Sequence, residues 1–262
     1  MISVITVVYN DKENIYKTIQ SVLSQNYNKI EYIIIDDGST DGTLDIINRY
    51  KDKINYLVSE KDLGTYDAMN KGIKIANGDF INFINSGDIL FEPNSIGKIV
   101  NSNLRKNVIY FSRAEIIADN ISWFYPGIGI KDYEKWLKSN LPNHQTMFFP
   151  KLFYKNNSYN LKLPIRADDY YKLLGLNSFC VKFIDSTYVK FYRGGISSNH
   201  KSLKLLKQRM LESFIINAKY KRLTRYFIDP FKLLLFFSYS NIFGETAFTK
   251  LIKSIVRLKK YL

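Results

Sequence analysis

The chain has 262 residues, 46% of them apolar, which argues against wholesale disorder and suits one large α/β domain or a domain with a tail. Its net charge of +14 calls for an anionic partner, and the charge is uneven: residues 201–262 hold 14 Lys and Arg against 3 Asp and Glu, whereas residues 1–200 hold 24 against 21. The single cysteine, Cys180, excludes an internal disulfide framework and a thiolate metal site, and fits a reducing cytosol.

The first element is a β-branched run at residues 3–9 (SVITVVY), with no charged and apolar leader ahead of it, so no secretory signal is read there. Residues 31–35 (EYIII) run into Asp36-Asp37, and residues 54–59 (INYLVS) and 79–84 (DFINFI) form two more apolar runs. Runs apolar on both faces indicate parallel strands buried beneath helices. Between them lie helical stripes: Ile15, Ile19, Val22 and Leu23 in residues 13–25, Leu44, Ile46 and Ile47 in 40–50, and Met69, Ile73 and Ala76 in 65–76. This alternation predicts βαβ units and a parallel sheet. After Asp88 the pattern loosens. Residues 108–112, 121–124, 145–149, 179–184 and 188–192 read as strands, and 167–174 as a helix. From residue 202 the chain reads as helical, with Leu203, Leu206, Met210, Phe214 and Ile215 on one stripe and a further helix from Pro230. No stretch reaches the ~18 uninterrupted apolar residues that span a bilayer.

In open α/β sheets, ligands bind beyond the carboxyl ends of the strands. Three such ends are polar: Tyr9-Asn10, the loop from Asp36 to Gly42, and Asn85-Ser86-Gly87-Asp88. If the strands are parallel, these loops share one crevice. A turn with a helix cap at Ser39 or Thr40 accounts for Gly38, Ser39 and Asp41. It does not account for two adjacent acids directly after Ile33-Ile34-Ile35, where burial makes charge costly. Asp88 reads either as an ordinary turn residue or as a cation ligand. A magnesium ion keeps several waters and needs few protein carboxylates, so one Asp suffices to hold it against a diphosphate.

The segments ISVITVVYN, IIIDDGSTDGT, EKDLGTYDAMNKGI, NSGD, LPNHQTMFF and ADDYYKLL, in this order, resemble family 2 inverting glycosyltransferases of the glycosyltransferase-A fold. Bacterial enzymes that build capsule, exopolysaccharide or O-antigen are the most similar group. The resemblance covers about residues 1–200, and implies a catalytic domain there with a basic helical tail over 201–262. It implies a mostly parallel central sheet flanked by helices, with a Rossmann-like nucleotide half and an acceptor half. The implied reaction moves a sugar, with inversion, from a nucleotide-sugar donor (UDP-linked by expectation) to a saccharide or lipid-linked oligosaccharide.

The resemblance also implies roles at matching positions. Asp37 contacts the nucleotide base beside Val8 and Tyr9, and Asp36 supports that loop. Asp67 and Asn70 face the nucleotide. Lys71 is open between a phosphate contact and a solvated helix charge. The family's Asp-x-Asp metal motif corresponds to Ser86-Gly87-Asp88, which lacks the first acid, so Asp88 is the expected ligand of Mn²⁺ or Mg²⁺. Asp169 takes the position of the catalytic base, with Asp168 beside it. Two acids at a helix N-terminus, worth about 0.3–1 kcal/mol each, are the competing explanation. His144, Gln145 and Asp168 are expected near the acceptor or diphosphate, unless the histidine is structural. Gly194-Gly195-Ile196-Ser197 reads as a loop near the donor phosphates or as a plain glycine turn.

The basic tail, which includes FKLLLFF at residues 231–237, reads as an amphipathic segment on an anionic membrane surface or as helices packed on the domain. The first reading places the protein in the cytoplasm, peripheral at the inner face of the cytoplasmic membrane, where a polyprenyl-diphosphate-linked acceptor would lie. Two other functions compete. A nucleotidyltransferase would carry a glycine-rich, basic loop after the first strand, but residues 9–14 contain no glycine, and no dinucleotide or Walker loop is present. A basic nucleic-acid-binding protein would fit the charge and the 20 tyrosines. It does not fit acids clustered at the strand ends, so no nucleic acid is expected.

Overall fold

A computed structural model describes residues 1–118, 121–194, 202–220, 228–229, 231–239, 241–242, 247 and 251. The first half runs β1 (Ile2–Val8), α1 (Ile15–Leu23), β2 (Ile30–Asp36), α2 (Thr43–Asn48), β3 (Tyr56–Ser59), α3 (Thr65–Ile75) and β4 (Phe80–Phe83). The second half adds β5 (Ile89–Leu90), α4 (Ser95–Val100), β6 (Val108–Ala118), β7 (Ile121–Tyr125), α5 (Tyr133–Ser139), β8 (Met147–Pro150), α6 (Lys151–Tyr154), α7 (Ala167–Ser178), β9 (Cys180–Tyr192) and α8 (Leu203–Lys219).

The sheet order is β3-β2-β1-β4-β8-β6-β9-β5, with β7 paired to β6. β1 lies at the centre of the parallel half, between β2 and β4. Its seven residues are all buried because both faces are covered. Val4, Val8, Tyr32 and Ile34 join one core cluster with Ile15, Ile19 and Val22 of α1. Ile5, Val7, Ile33 and Ile35 join the other with Ala68, Met69 and Ile73 of α3. This two-sided burial is why β1 and β2 read as unbroken apolar runs rather than alternating ones. α3 packs closely enough that a Cβ at Gly72 would lie 2.6 Å from Ile5 Cγ2.

Register sets the edge where the site forms. Val8 pairs with Asp36, Asp36 with Ser59, and Ile5 with Phe83. The loops after β1, β2, β3 and β4 therefore leave the sheet on the same side.

The parallel expectation holds for β3-β2-β1-β4. The rest of the sheet is mixed: β4–β8, β6–β8, β6–β7 and β5–β9 are antiparallel, and β6–β9 is parallel. The two strands expected over 179–192 form one strand, β9, whose register against β6 shifts between Phe111 and Ala114. That irregularity falls opposite the polar residues that interrupted the sequence pattern.

α8 packs against the turn before α7. Its buried face comprises Leu206, Arg209, Glu212, Ser213, Ile216 and Asn217, while Leu203 and Ile215 of the expected apolar stripe are exposed. The helix is turned because its partner surface is polar: Glu212 accepts the backbone N–H groups of Ile165 and Arg166 at 3.2 and 2.7 Å. Among the described residues no helix is long and apolar enough to cross a membrane. Pro230 and residues 252–262 lie outside the described residues.

Candidate active site

A cleft of about 840 Å³ opens at the carboxyl edge of β1, β2 and β4 and continues to the start of α7. Its wall at the ends of β1 and β2 is built by stitching two loops together. Asn10 accepts the Thr40 N–H at 2.8 Å, and the Asn10 N–H donates to Ser39 Oγ at 2.8 Å. Asp36 is fully buried, and its Oδ2 accepts Ser59 Oγ at 2.6 Å and the Ser39 N–H at 3.1 Å. It holds the turn and does not line the cleft. Asp37 does line it, anchored by its own N–H on Val8 O at 3.0 Å and by accepting the Asp62 N–H. Tyr9 is 60% exposed on the same wall and offers a flat aromatic face beside Asp37.

Three residues of α3 are engaged away from the cleft wall. Asp67 does not line the cleft, because its carboxylate accepts the Leu63 N–H at 3.0 Å and shapes the turn into α3. Asn70 is buried, and its amide is used twice by Tyr159, donating to the carbonyl at 3.0 Å and accepting the N–H at 2.8 Å. Lys71 is partly exposed and does not line the cleft. It pairs with Glu60 at 2.7 Å and Asp62 at 2.5 Å. Burial would lower its pKa, but these two acids outweigh burial and raise it.

Asp88 is 4% exposed at the floor of the cleft. The turn that carries it is held by Thr18 of α1, which accepts the Gly87 N–H at 3.0 Å and donates to Asp88 O at 2.8 Å. The carboxylate itself accepts the Gln145 amide at 3.0 Å and the Tyr192 N–H at 3.1 Å. Both donors are neutral, so burial pushes Asp88 up to about 8. A buried carboxylate lacking a cationic partner is chemistry that a divalent cation would complete. Among the described residues no group of three or more His, Cys, Asp or Glu forms a cage. The donors therefore fit Mg²⁺ or Mn²⁺ completed by water and diphosphate oxygens, and not an all-protein site.

The far side of the cleft is a charge network at the head of α7. Asp168 lines the cleft, 3.0 Å from the Tyr66 hydroxyl and 3.0 Å from Lys172 Nζ. Asp169 turns away from the cleft wall. Arg166 grips its Oδ2 through Nε at 2.9 Å and Nη2 at 2.8 Å, and Lys172 reaches its Oδ1 at 2.8 Å. Burial opposes ionisation there, but Lys172 and Arg166 outweigh it and hold Asp169 well below the usual carboxylate range. His144 lines the cleft, stacked on Phe83 with ring centroids 5.0 Å apart and hydrogen-bonded through Nε2 to the Tyr159 hydroxyl. Burial lowers it to about 4, so it is a neutral imidazole. Gln145 also lines the cleft, and its side chain is committed to Asp88 rather than left free for a substrate. Gly194 lines the cleft, whereas Gly195, Ile196 and Ser197 lie outside the described residues.

The sequence profile of glycosyl transferase family 2 matches residues 3–169. The chain belongs to that family. It is 30% identical over 227 residues to the UDP-Glc:alpha-D-GlcNAc-diphosphoundecaprenol beta-1,3-glucosyltransferase WfaP of Escherichia coli, covering 84% of this chain and 89% of WfaP. It is 27% identical over 177 residues to a PGL/p-HBAD biosynthesis glycosyltransferase of Mycobacterium bovis, covering 64% of this chain and 66% of that one. Among solved structures, the mannosyltransferase PcManGT of Pyrobaculum calidifontis, in complex with GDP-Man and Mn²⁺, superposes with a TM-score of 0.63 at 15% identity, covering 98% of this chain and 79% of its own. TarS 1–349 of Staphylococcus aureus, in complex with UDP-GlcNAc, gives 0.60 at 19% identity, covering 82% and 66%. These likenesses show the glycosyltransferase-A fold. The chain spans 44% of a longer TarS chain that it also matches.

Cleft residues of this glycosyltransferase that carried no assigned role in the sequence include Asp11, Asp62, Tyr66 and Lys172. Lys172 was visible in principle, three and four residues beyond two acids on one helix, a spacing that brings side chains together. Asp62 and Tyr66 lie within the quoted EKDLGTYDAMNKGI segment, but which residues of that segment face inward depends on how the turn before α3 folds. Asp11 had no sequence signal at all.

Proposed function

We propose that this glycosyltransferase transfers a sugar, with inversion, from a UDP-linked donor to a lipid-linked saccharide in bacterial surface polysaccharide synthesis. The observation that carries this reading is convergence. Asp37 and Tyr9, Asp88, and the Asp168–Lys172 network come from separate parts of the chain and line one cleft. WfaP, by its printed name, uses UDP-Glc and a GlcNAc-diphosphoundecaprenol acceptor, and it aligns over most of both chains.

In this reading Tyr9 stacks on the nucleotide base and Asp37 accepts its N–H. Asp88 holds the divalent cation, Mn²⁺ or Mg²⁺, which when bound neutralises charge on the departing diphosphate. His144, held neutral, lies on the wall between the donor and acceptor sides. The acceptor hydroxyl gives up its proton to the carboxylate pair at the head of α7. The motif position assigns the base to Asp169. Asp168 is the member that lines the cleft, and Lys172 touches both at 3.0 and 2.8 Å.

The two are separated by making Asp169→Asn and Asp168→Asn singly and measuring UDP binding and transfer. We expect Asp169→Asn to lose transfer with UDP binding intact. Loss confined to Asp168→Asn moves the base to the cleft-facing carboxylate. Full transfer by both variants refutes a base at this pair. A thermal-shift screen of UDP-, GDP- and dTDP-sugars with and without Mn²⁺ tests the donor, since a ligand bound only by the native state raises stability with its affinity.

The chain beyond α8 is read as contact with an anionic membrane surface. Phe231, Leu234 and Leu235 are exposed there, within a strongly basic tail. A variant ending at Tyr220 keeps α8 and removes this segment. Undiminished sedimentation of that variant with anionic liposomes would sink the membrane reading.

A further inference from the structure

We propose that Asp11 supplies the second carboxylate of the cation site, standing in for the acid that Ser86 lacks. The inference rests on the reading of Asp88 as a cation ligand.

Asp11 lies in the loop between β1 and α1, 75 residues before Ser86 in the chain. Its backbone is fixed from three sides. The N–H donates to Thr43 Oγ1 at 2.9 Å, and the carbonyl accepts the Asn14 and Ile15 N–H groups at 3.2 and 3.0 Å. The side chain is aimed by two further bonds. Oδ1 accepts Asn14 Nδ2 at 2.7 Å, and Oδ2 accepts Ser86 Oγ at 2.6 Å. A Cβ placed on Gly87 would lie 3.7 Å from the same Oδ2. The Asp11 carboxylate thus rests over Ser86 and Gly87, the two residues before Asp88. An acid at residue 86 would project its own carboxylate into this region. Here the charge arrives from across the cleft, on the end of the Ser86 hydroxyl.

Three observations point to a cation and away from a purely structural bond. Asp11, Ser86, Gly87 and Asp88 all line the cleft. Neither Asp11 nor Asp88 appears in any ion pair among the described residues. Asn85 Oδ1, at the start of the same turn, is buried without a hydrogen-bond partner. Two cleft-lining carboxylates without an ion-pair partner and an unpaired amide oxygen on the same cleft supply hard-oxygen donors. Such a set suits Mg²⁺ or Mn²⁺, whose remaining positions water and diphosphate would fill. The geometry also places Asp11 two residues from Tyr9, so the loop that meets the base would also meet the cation.

The test measures Mn²⁺ binding to the full chain in the presence of UDP, by loss of the free-ion paramagnetic resonance signal. Asp11→Asn keeps the shape and one acceptor oxygen, for Asn14, while the Ser86 hydroxyl can turn to accept from the new amide, and it removes the charge. We expect it to weaken Mn²⁺ binding by about tenfold or more, because hard-cation affinity follows the count of charged ligands. UDP binding in chelator and the melting temperature should stay unchanged. Adding Ser86→Asp to that variant should restore most of the affinity, since it returns the carboxylate by the shorter route. Ser86→Ala alone, which breaks the bond but keeps both charges, should retain Mn²⁺ binding. Asp88→Asn is the reference for the underlying reading.

If Asp88→Asn loses Mn²⁺ and Asp11→Asn binds within about twofold of the parent, the role of Asp11 is refuted alone. If Asp88→Asn also binds normally, the cation reading of Asp88 falls and takes this inference with it. If Asp11→Asn does not fold, Ser86→Ala decides: loss of Mn²⁺ binding there places the second contact on the serine and overturns the proposal.

Discussion

Replacing Glu212 with alanine tests whether α8 is a working part of the catalytic domain. Glu212 is fully buried and reaches from α8 to the turn before α7. Its Oε2 accepts the N–H groups of Ile165 and Arg166, and its Oε1 accepts the Gln208 amide at 2.8 Å. Alanine removes a charged acceptor from two backbone donors, at about 1.5 kcal/mol or more each, so a loss of about 3 kcal/mol is expected. For a domain of this size that is a fall in Tm of about 6–12 °C. The assay is calorimetry of parent, Glu212→Ala and Glu212→Gln. Glutamine retains an acceptor oxygen and should recover part of the loss. The same loss should reach the site, because Arg166 also bonds Ser213 of α8 and grips Asp169. Glu212→Ala should therefore lower transfer more than it weakens UDP binding, which is decided at the far end of the cleft. A Tm shift below about 2 °C, or equal loss of UDP binding and transfer, would refute the reasoning.

Further predictions follow the same geometry. Asp37→Ala should weaken UDP binding about 10- to 100-fold in calorimetric titration, the worth of a hydrogen bond to a charged acceptor, with a smaller effect on the rate at saturation. Asp169→Asn should reduce transfer by about 10²–10⁴, the range for a positioned base, in a coupled assay of released UDP. His144 is held below its ordinary pKa by burial, at about 4, so the unfolded chain takes up a proton that the folded one refuses. Its contribution is intact above pH 6.5 and lost as pH falls toward 4, by about 3 kcal/mol at most, and urea unfolding of His144→Gln should show a flatter slope across that window. Gly72→Ala should cost about 1–3 kcal/mol by forcing a Cβ against Ile5, measured by urea midpoint.

The nucleotide half was legible in the sequence because its physics is local. β1 and β2 are buried on both faces, so unbroken runs of Val and Ile announce them, and the amphipathic stripes of α1 and α3 announce what covers them. Strand ends in such a sheet meet at one edge, which marks Tyr9, Asp37 and Asp88 from the sequence. The second half was less legible because its sheet is mixed: β5 has two residues, and β9 crosses a register shift that looks like a break.

Side-chain direction is where tertiary structure decided the outcome. Sequence alone showed that acids and amides gather near the donor site, but not which of them face it. Asp67, Asn70 and Lys71 all belong to the donor-side helix, yet each is taken up by a neighbour that the chain brings back from elsewhere or from the preceding turn. Asp168 and Asp169 are adjacent in sequence, and a helix turns successive residues by about 100°, so only one of them lines the cleft. Asp11 and Ser86 meet across 75 residues through the alignment of β1 and β4, a proximity that no local pattern encodes. The residue types present and the edge at which they collect were properties of the sequence. The pairing of charges, and therefore which carboxylates remain open to a substrate or a cation, was settled by the packing of the folded chain.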